Sequence, residues 1–256
     1  MSWVFDGQAN CERPEAMYRG LRILGVVPVL DEREKIGRVV ERVPLDIVDE
    51  VLVVDDGSTD GSQEIARRGG ATVIELGATL GVGYAIRTGF GYAMAEGYDV
   101  AVVMAGNNKD SPEEIPLLLD PIADGRADLV QGSRWLAPGS DYGEMPLYRR
   151  LATRIHPAIF NLISPTKLTD TTNGFRAVTK AVLMDPRLEL GQPWLNEYEL
   201  EVYLLFKTAK LGYRVHEVGV TKRYPPKALG QTKMKPITGW WSILRPLVLL
   251  GTGIKK

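Results

Sequence analysis

Cysteine is nearly missing from this 256-residue chain: a single residue, Cys11, stands in its N-terminal stretch. One thiol excludes an intramolecular disulfide framework and a cysteine-rich zinc site, and it fits a reducing, cytoplasmic setting. Histidine is almost as scarce. His156 and His216 are the only two, and they fall in different elements, which argues against a paired metal or acid–base role. Neither sign of charge dominates, with 31 basic against 32 acidic residues, so no overall field favours nucleic acid as a partner. Long apolar runs are lacking as well. No window reaches the roughly 18–20 uninterrupted apolar residues that a spanning helix needs, and the nearest stretch, GWWSILRPLVLLGTGIKK, is broken by Arg245 and Pro246. Residues 1–20 contain acids and no apolar core, so they read as an extension or covering arm rather than a secretory signal.

What is present is alternation. RILGVVPVL predicts a strand, and the charged DEREKIGRVVERV predicts a helix with Ile36, Val39, Val40 and Val43 at helical spacing, stopped by Pro44. DEVLVVDDGS is a second strand, GSQEIARRGG a helix closed by Gly69 and Gly70, and ATVIEL a third strand. VGYAIRTGFGYAMAEG predicts a helix and DVAVVMAG a fourth strand. Strands apolar on both faces, alternating with helices, imply an α/β fold with a mostly parallel sheet covered on both sides. Further on, ADLVQGSRW reads as a strand, RRLATRIHPAIFNLIS as a basic helix, and NEYELEVYLLFKTAKLGYRVHEVGV as a helix closed by Gly212 before another strand.

In such sheets ligands bind beyond the carboxyl ends of the strands. The segments there are PVLDE, DDGSTDGS and AGNNKD, all polar or turn-forming, and each follows a run that should be buried. Together with LGVGYAIRTGF, LVQGSRW, DTTNGFRAV, LGYRVHEVGV and LGQTKM, they stand in an order that resembles the family 2 inverting glycosyltransferases, in the dolichol-phosphate mannosyltransferase or polyprenyl-phosphate glucosyltransferase branch. The likeness runs over about 21–250. It implies a GT-A, Rossmann-like domain over 21–235, followed by an amphipathic C-terminal segment, 236–256.

The same resemblance implies a nucleotide-sugar donor, UDP- or GDP-linked, and an acceptor that is a polyprenyl phosphate or a soluble molecule. Pro28, Val29, Asp31 and Glu32 would line base and ribose, and Asp55 and Asp56 would accept hydrogen bonds from base edge or ribose hydroxyls, as acceptor-only carboxylates can. Gly81 and Gly83 would admit the diphosphate, and Lys233 would fit a basic position in a loop over the donor. Arg134, Asp170 and Arg176 match basic and acidic positions near the phosphates, with Arg134 and Glu199 on the acceptor side. A guanidinium fork suits either phosphate. Other relatives would hold Mg2+ or Mn2+ with an Asp-x-Asp motif, but Ala105 and Asn107 occupy those two positions here.

Three readings of AGNNKD follow. Lys109 replaces the metal as a fixed positive charge; or Asn107 and Asp110, with the donor phosphates, hold a divalent ion; or the chain binds nucleotide sugar without turnover. In each, Lys109 and Asp110 belong to the reacting region. Trp240 and Trp241 in the Leu-rich 236–250 stretch have the makeup of a segment lying at a membrane interface, and equally of one packed on the domain or on a second copy. Oligomeric state is left open by the sequence.

Overall fold

Runs of Val, Ile and Leu become strands here because each is covered on both faces. The computed structural model describes residues 18–136, 143–224 and 238–255. Strands β1 (Ile23–Val29), β2 (Glu50–Asp55), β3 (Thr72–Glu75) and β4 (Val100–Val103) pair in parallel, in the order β3-β2-β1-β4. Helices α1 (Arg33–Glu41), α2 (Ser62–Arg68) and α3 (Val82–Ala95) connect them. The sheet continues through β6 (Arg176–Thr179), β5 (Leu129–Ser133) and β7 (Val215–Gly219), giving β3-β2-β1-β4-β6-β5-β7.

Strand β6 runs antiparallel to both β4 and β5, while β5 and β7 are parallel. That single reversal matters for the site. The amino end of β6, where Arg176 pairs with Val103 and Gln131, lies at the edge reached by the carboxyl ends of the other strands. The segment that precedes β6, 170–175, therefore joins the loops that follow β1, β2, β4, β5 and β7.

Side chains alternate along β1, as a pleated strand requires. Leu24 and Val26 enter a cluster with Phe90, Phe160, Tyr203 and Leu247, whereas Ile23, Val27 and Val29 enter another with Ile36, Val39, Ile115 and Leu118. The first cluster lies under α3, α5 (Leu147–Ile163), α7 (Glu199–Lys210) and α8 (Thr238–Gly251), and the second lies under α1 and α4 (Ile115–Ala123). A short helix, α6 (Lys180–Leu183), follows β6 directly. This mixed, mostly parallel sheet flanked by helices is the architecture expected from the alternation of runs.

Helix α5 turns Thr153, His156, Pro157 and Phe160 inward. Phe160 meets Phe206 of α7 edge-on, with ring centroids 6.2 Å apart and planes at 88°, a favoured aromatic geometry. The His156 ring, its pKa lowered by burial, lies within hydrogen-bond range of Thr171 Oγ1 at 2.6 Å and of the Ile243 carbonyl in α8 at 3.2 Å. Leu247 and Leu250 of α8 enter the same cluster as β1 and α7. The C-terminal segment set apart in the sequence at 236–256 thus contributes Leu247 and Leu250 to the core. No helix among the described residues is long and apolar enough to cross a membrane.

Phe160 holds α5 onto α7, so Phe160→Ala should destabilise the fold by about 3–5 kcal/mol through lost burial and a residual cavity. A lower urea midpoint at unchanged slope is the expected result.

Candidate active site

The edge is built by side chains that satisfy one another across distant loops. After β1, Asp31 takes a left-handed backbone with φ 46°. Its amide donates to Ser58 Oγ at 2.8 Å, and its Oδ1 accepts from the Thr59 amide at 2.8 Å. Glu32 pairs with Lys35 at 2.8 Å, and its amide donates to Ser62 Oγ. These contacts clamp the PVLDE loop, with Pro28 and Val29 at its base, to the loop that follows β2.

Asp55 and Asp56 divide sharply. Asp55 accepts from the Ser58 amide through Oδ2 at 3.0 Å, while its buried Oδ1 has no hydrogen-bond partner among the described residues. A buried acceptor in that state is costly unless a ligand donates to it. Asp56 instead accepts from the amides of Leu80, at 2.7 Å, and Gly81, at 3.0 Å. Burial raises its pKa against the lowering effect of those two amides. Asp56 thus supports the turn into α3.

Gly81 and Gly83 permit a close approach of protein backbone. A Cβ at Gly81 would stand 2.3 Å from the Asn196 carbonyl oxygen, and one at Gly83 would stand 2.2 Å from that of Leu195. There the Tyr84 amide donates to the Asn196 carbonyl at 3.1 Å.

Arg134, just beyond β5, and Asp170, before β6, are 2 % and 0 % exposed. Arg134 Nε donates to Asp170 Oδ2 at 2.6 Å, Nη2 reaches Thr172 Oγ1 at 3.2 Å, and Nη1 reaches the Tyr224 hydroxyl at 2.8 Å. Burial works against the arginine's charge, but Asp170 and Tyr224 outweigh it and hold the pKa up. Arg176 is likewise enclosed. Its Nη1 donates to the Glu201 carbonyl and its Nη2 to the Asn173 carbonyl, each at 2.7 Å, and burial lowers its pKa. Arg134, Asp170 and Arg176 thus lie buried beneath the edge, joined to protein partners. Glu199, expected on the acceptor side, is buried with its pKa raised by that burial and lies 3.7 Å from Arg245 of α8. Lys233 lies outside the described residues.

The end of β4 answers the question of the metal. Asp110 Oδ2 accepts from the Ala105 amide at 3.1 Å, and Oδ1 accepts from Lys222 Nζ at 2.6 Å. Asn107 Oδ1 accepts from the Lys109 amide at 3.2 Å. Among the described residues no group of three or more His, Cys, Asp or Glu side chains is placed to hold a metal ion. Mg2+ or Mn2+ requires several oxygen ligands, usually including carboxylate. Here the one nearby carboxylate already carries an ammonium, so the expected pair Asn107 and Asp110 does not fit a divalent cation.

Lys222 escaped the sequence reading as a site residue. The rule applied to the ends of β1, β2 and β4 would have found it if extended to β7, because β7 runs parallel to β5 and ends at the same edge. Asn173, which accepts from Lys222 Nζ at 2.8 Å, was hidden inside the NGFR turn. Tyr224 completes the group. Lys109 Nζ stands 5.3 Å from its ring centroid and the Arg149 guanidinium carbon 5.7 Å, within cation–π range.

Lys109 is buried, and that burial, aided by the like charges of Arg149 and Lys222, brings its pKa from 10.5 to about 7. Between these values the unfolded chain binds a proton that the folded chain lacks, so this group favours the folded state increasingly as pH rises through the window. An anion binding at Lys109 needs the protonated form. Affinity for inorganic pyrophosphate should therefore weaken as pH rises above about 7, with proton uptake on binding above that pH. Calorimetry in buffers of different ionisation enthalpy would detect both, and Lys109→Met should abolish the proton uptake.

Against this geometry, comparison with known proteins gives a consistent result. The chain is 32% identical over 223 residues to an undecaprenyl-phosphate mannosyltransferase of Micrococcus luteus, covering 84% of this chain and 88% of that one. It is 30% identical to the polyprenol monophosphomannose synthase of Mycolicibacterium smegmatis, covering 89% and 86%. In fold it is similar to the glucosyl-3-phosphoglycerate synthase of Mycobacterium tuberculosis, solved with Mn2+ and UDP-glucose, at a TM-score of 0.66 and 22% identity over 94% of this chain and 83% of that one. The sequence profile of glycosyl transferase family 2 matches residues 26–185. The GT-A architecture, the loops at the sheet edge and these matches agree that the chain is a glycosyltransferase belonging to family 2.

Proposed function

We propose that the chain transfers a hexose, with inversion, from a UDP- or GDP-linked donor to a polyprenyl phosphate at the cytoplasmic face of a membrane. Its relatives named for undecaprenyl-phosphate and polyprenol mannosyl transfer support that class of acceptor. The observation that carries the proposal is where the edge cations sit. Arg149, which shares the Tyr224 ring with Lys109, is in the first turn of α5, a helix whose outward face is apolar. Leu147 and Leu162 are 80% and 84% exposed, and Leu151, Ile155 and Ile159 between them are also exposed.

Those five residues lie opposite the inward face of Thr153, His156 and Phe160, as 3.6-residue periodicity dictates. Arg150 and Arg154 flank the stripe, both exposed. Beside α5, helix α8 exposes Trp241, Leu244 and Val248. An apolar stripe bordered by guanidinium groups suits the boundary between lipid headgroups and chains. An acceptor phosphate would then meet Lys109 and Arg149 while its prenyl chain stays in lipid. The peripheral contact assigned to 236–250 would be shared with α5.

Attack on the anomeric carbon by a phosphate dianion needs no strong general base, so the site's main task is to stabilise charge on the leaving diphosphate. Lys109 supplies a positive group at the end of β4. The unpaired Asp55 Oδ1 supports the donor side, because it can accept from a base N–H or a ribose hydroxyl. A soluble acceptor is the second reading, favoured by the lack of a membrane-crossing helix among the described residues.

Purified protein supplied with UDP-glucose or GDP-mannose should glycosylate undecaprenyl phosphate in anionic vesicles, with the anomeric configuration inverted by NMR. Transfer to 3-phosphoglycerate with none to lipid would establish the soluble reading, and nucleotide binding without turnover would mark a binding protein. Leu151→Glu with Ile155→Glu should raise the KM for vesicle-borne acceptor about tenfold or more and leave nucleotide affinity unchanged.

A further inference from the structure

Where the family resemblance places a divalent ion, this chain brings a cation of its own. Lys222 arrives from the segment after β7 and is held by Asp110 Oδ1 at 2.6 Å and Asn173 Oδ1 at 2.8 Å. Its side chain is only 10% exposed. The main chain fixes the same arrangement: Asp110 and Lys222 form an antiparallel bridge, and the Arg223 amide donates to the Lys109 carbonyl at 2.9 Å. Nearby, Thr221 donates to Glu114 through both its amide and its hydroxyl, each at 2.6 Å. The ammonium is thus seated from two strands' ends at once and cannot swing away without breaking a clasp.

The chemistry of the remaining groups points the same way. Ala105 has no donor atom, Asn107 is turned to a backbone amide, and the second Asp110 oxygen takes the Ala105 amide. Capture of a dication by Asp110 would leave Lys222 buried beside it without its carboxylate. Breaking a buried pair in that manner is strongly unfavourable. Around Lys109 the like charges of Arg149, Lys222 and Lys35 disfavour its proton, and the charge of Glu32 favours it. Such a field attracts a diphosphate and repels a dication.

We infer that Lys222, seated on Asp110 and Asn173, is a built-in cation that takes the place of a divalent metal at the end of β4, so that this chain binds its nucleoside diphosphate without metal. The identity of that anion rests on the transferase reading; the exclusion of the metal rests on the Lys222 clasp.

The full chain should be titrated with MnCl2 alone, followed by the spectrum of free Mn2+, and then with UDP and GDP in EDTA and in MnCl2, followed by calorimetry. The expected result is that the wild type and Lys222→Arg remove no Mn2+ from solution, and that one nucleotide binds equally well in both buffers. Lys222→Met, which bares Asp110, should gain a bound Mn2+. Stoichiometric Mn2+ on the wild type, or affinity raised about tenfold (about 1.4 kcal/mol) by MnCl2, would overturn the inference. A folded Lys222→Met that gains no Mn2+ would overturn the part assigned to Lys222. If Lys222→Met fails to fold, the wild type and Lys222→Arg still decide. If neither nucleotide binds under any condition, the transferase reading fails, while the titration with MnCl2 alone still judges the clasp.

Discussion

The buried ion pair of Arg134 and Asp170 is the contact on which the working edge of the sheet depends. One guanidinium ties the end of β5 to the segment before β6 and, through the Tyr224 hydroxyl, to the segment after β7. Neither charge has more than a trace of solvent. An ion pair so deeply buried contributes little net stability compared with apolar residues of the same volume, yet loss of one partner leaves the other stranded. Its value here is geometric. Tyr224, fixed by its hydroxyl, presents its ring to Lys109 and Arg149, so the position of these two cations follows from that of Arg134.

Much of this was legible in the sequence. Periodicity alone separated strands from helices through β4, since Val-rich runs buried on both faces have no other stable setting. It could not show that β6 reverses, because a four-residue strand carries no mark of direction. That reversal is what brings Asp170, Asn173 and Arg176 to the edge. Residue type located the polar loops but could not tell a ligand-facing carboxylate from one turned to a backbone amide. Asp55 and Asp56 are adjacent and identical in kind, and only their hydrogen bonds distinguish them. Similarly, Gly81 and Gly83 announce a close approach without saying to what. Lys222 is not singled out by the sequence, since its pairing with Asp110 spans 112 positions.

The edge therefore has two electrostatic layers. Beneath lie Arg134, Asp170 and Arg176, buried charged groups hydrogen-bonded to protein; above lie Lys109 and Arg149 at the Tyr224 ring, and Lys222 held by Asp110. The lower layer is held by directed hydrogen bonds from Arg134 and from both terminal nitrogens of Arg176, whose buried Nε has no partner among the described residues. In the upper layer burial makes charge costly, and Lys109 gives up its proton more readily as a result. This layer adjoins α5, whose first turn carries Arg149 and whose outward face is apolar.

The long reach from Asp110 to Lys222 also orders events in time. During synthesis, β1 to β4 emerge and can pair while the ribosome still holds the remainder, as N-terminal elements generally do. Asp110 is then present without its ammonium, and Tyr224 has yet to arrive. A nascent chain arrested between β6 and residue 222 has most of its sheet but lacks Lys222. The clasp closes only when β7 docks beside β5, so the proposed donor edge is the last part of the sheet to be assembled.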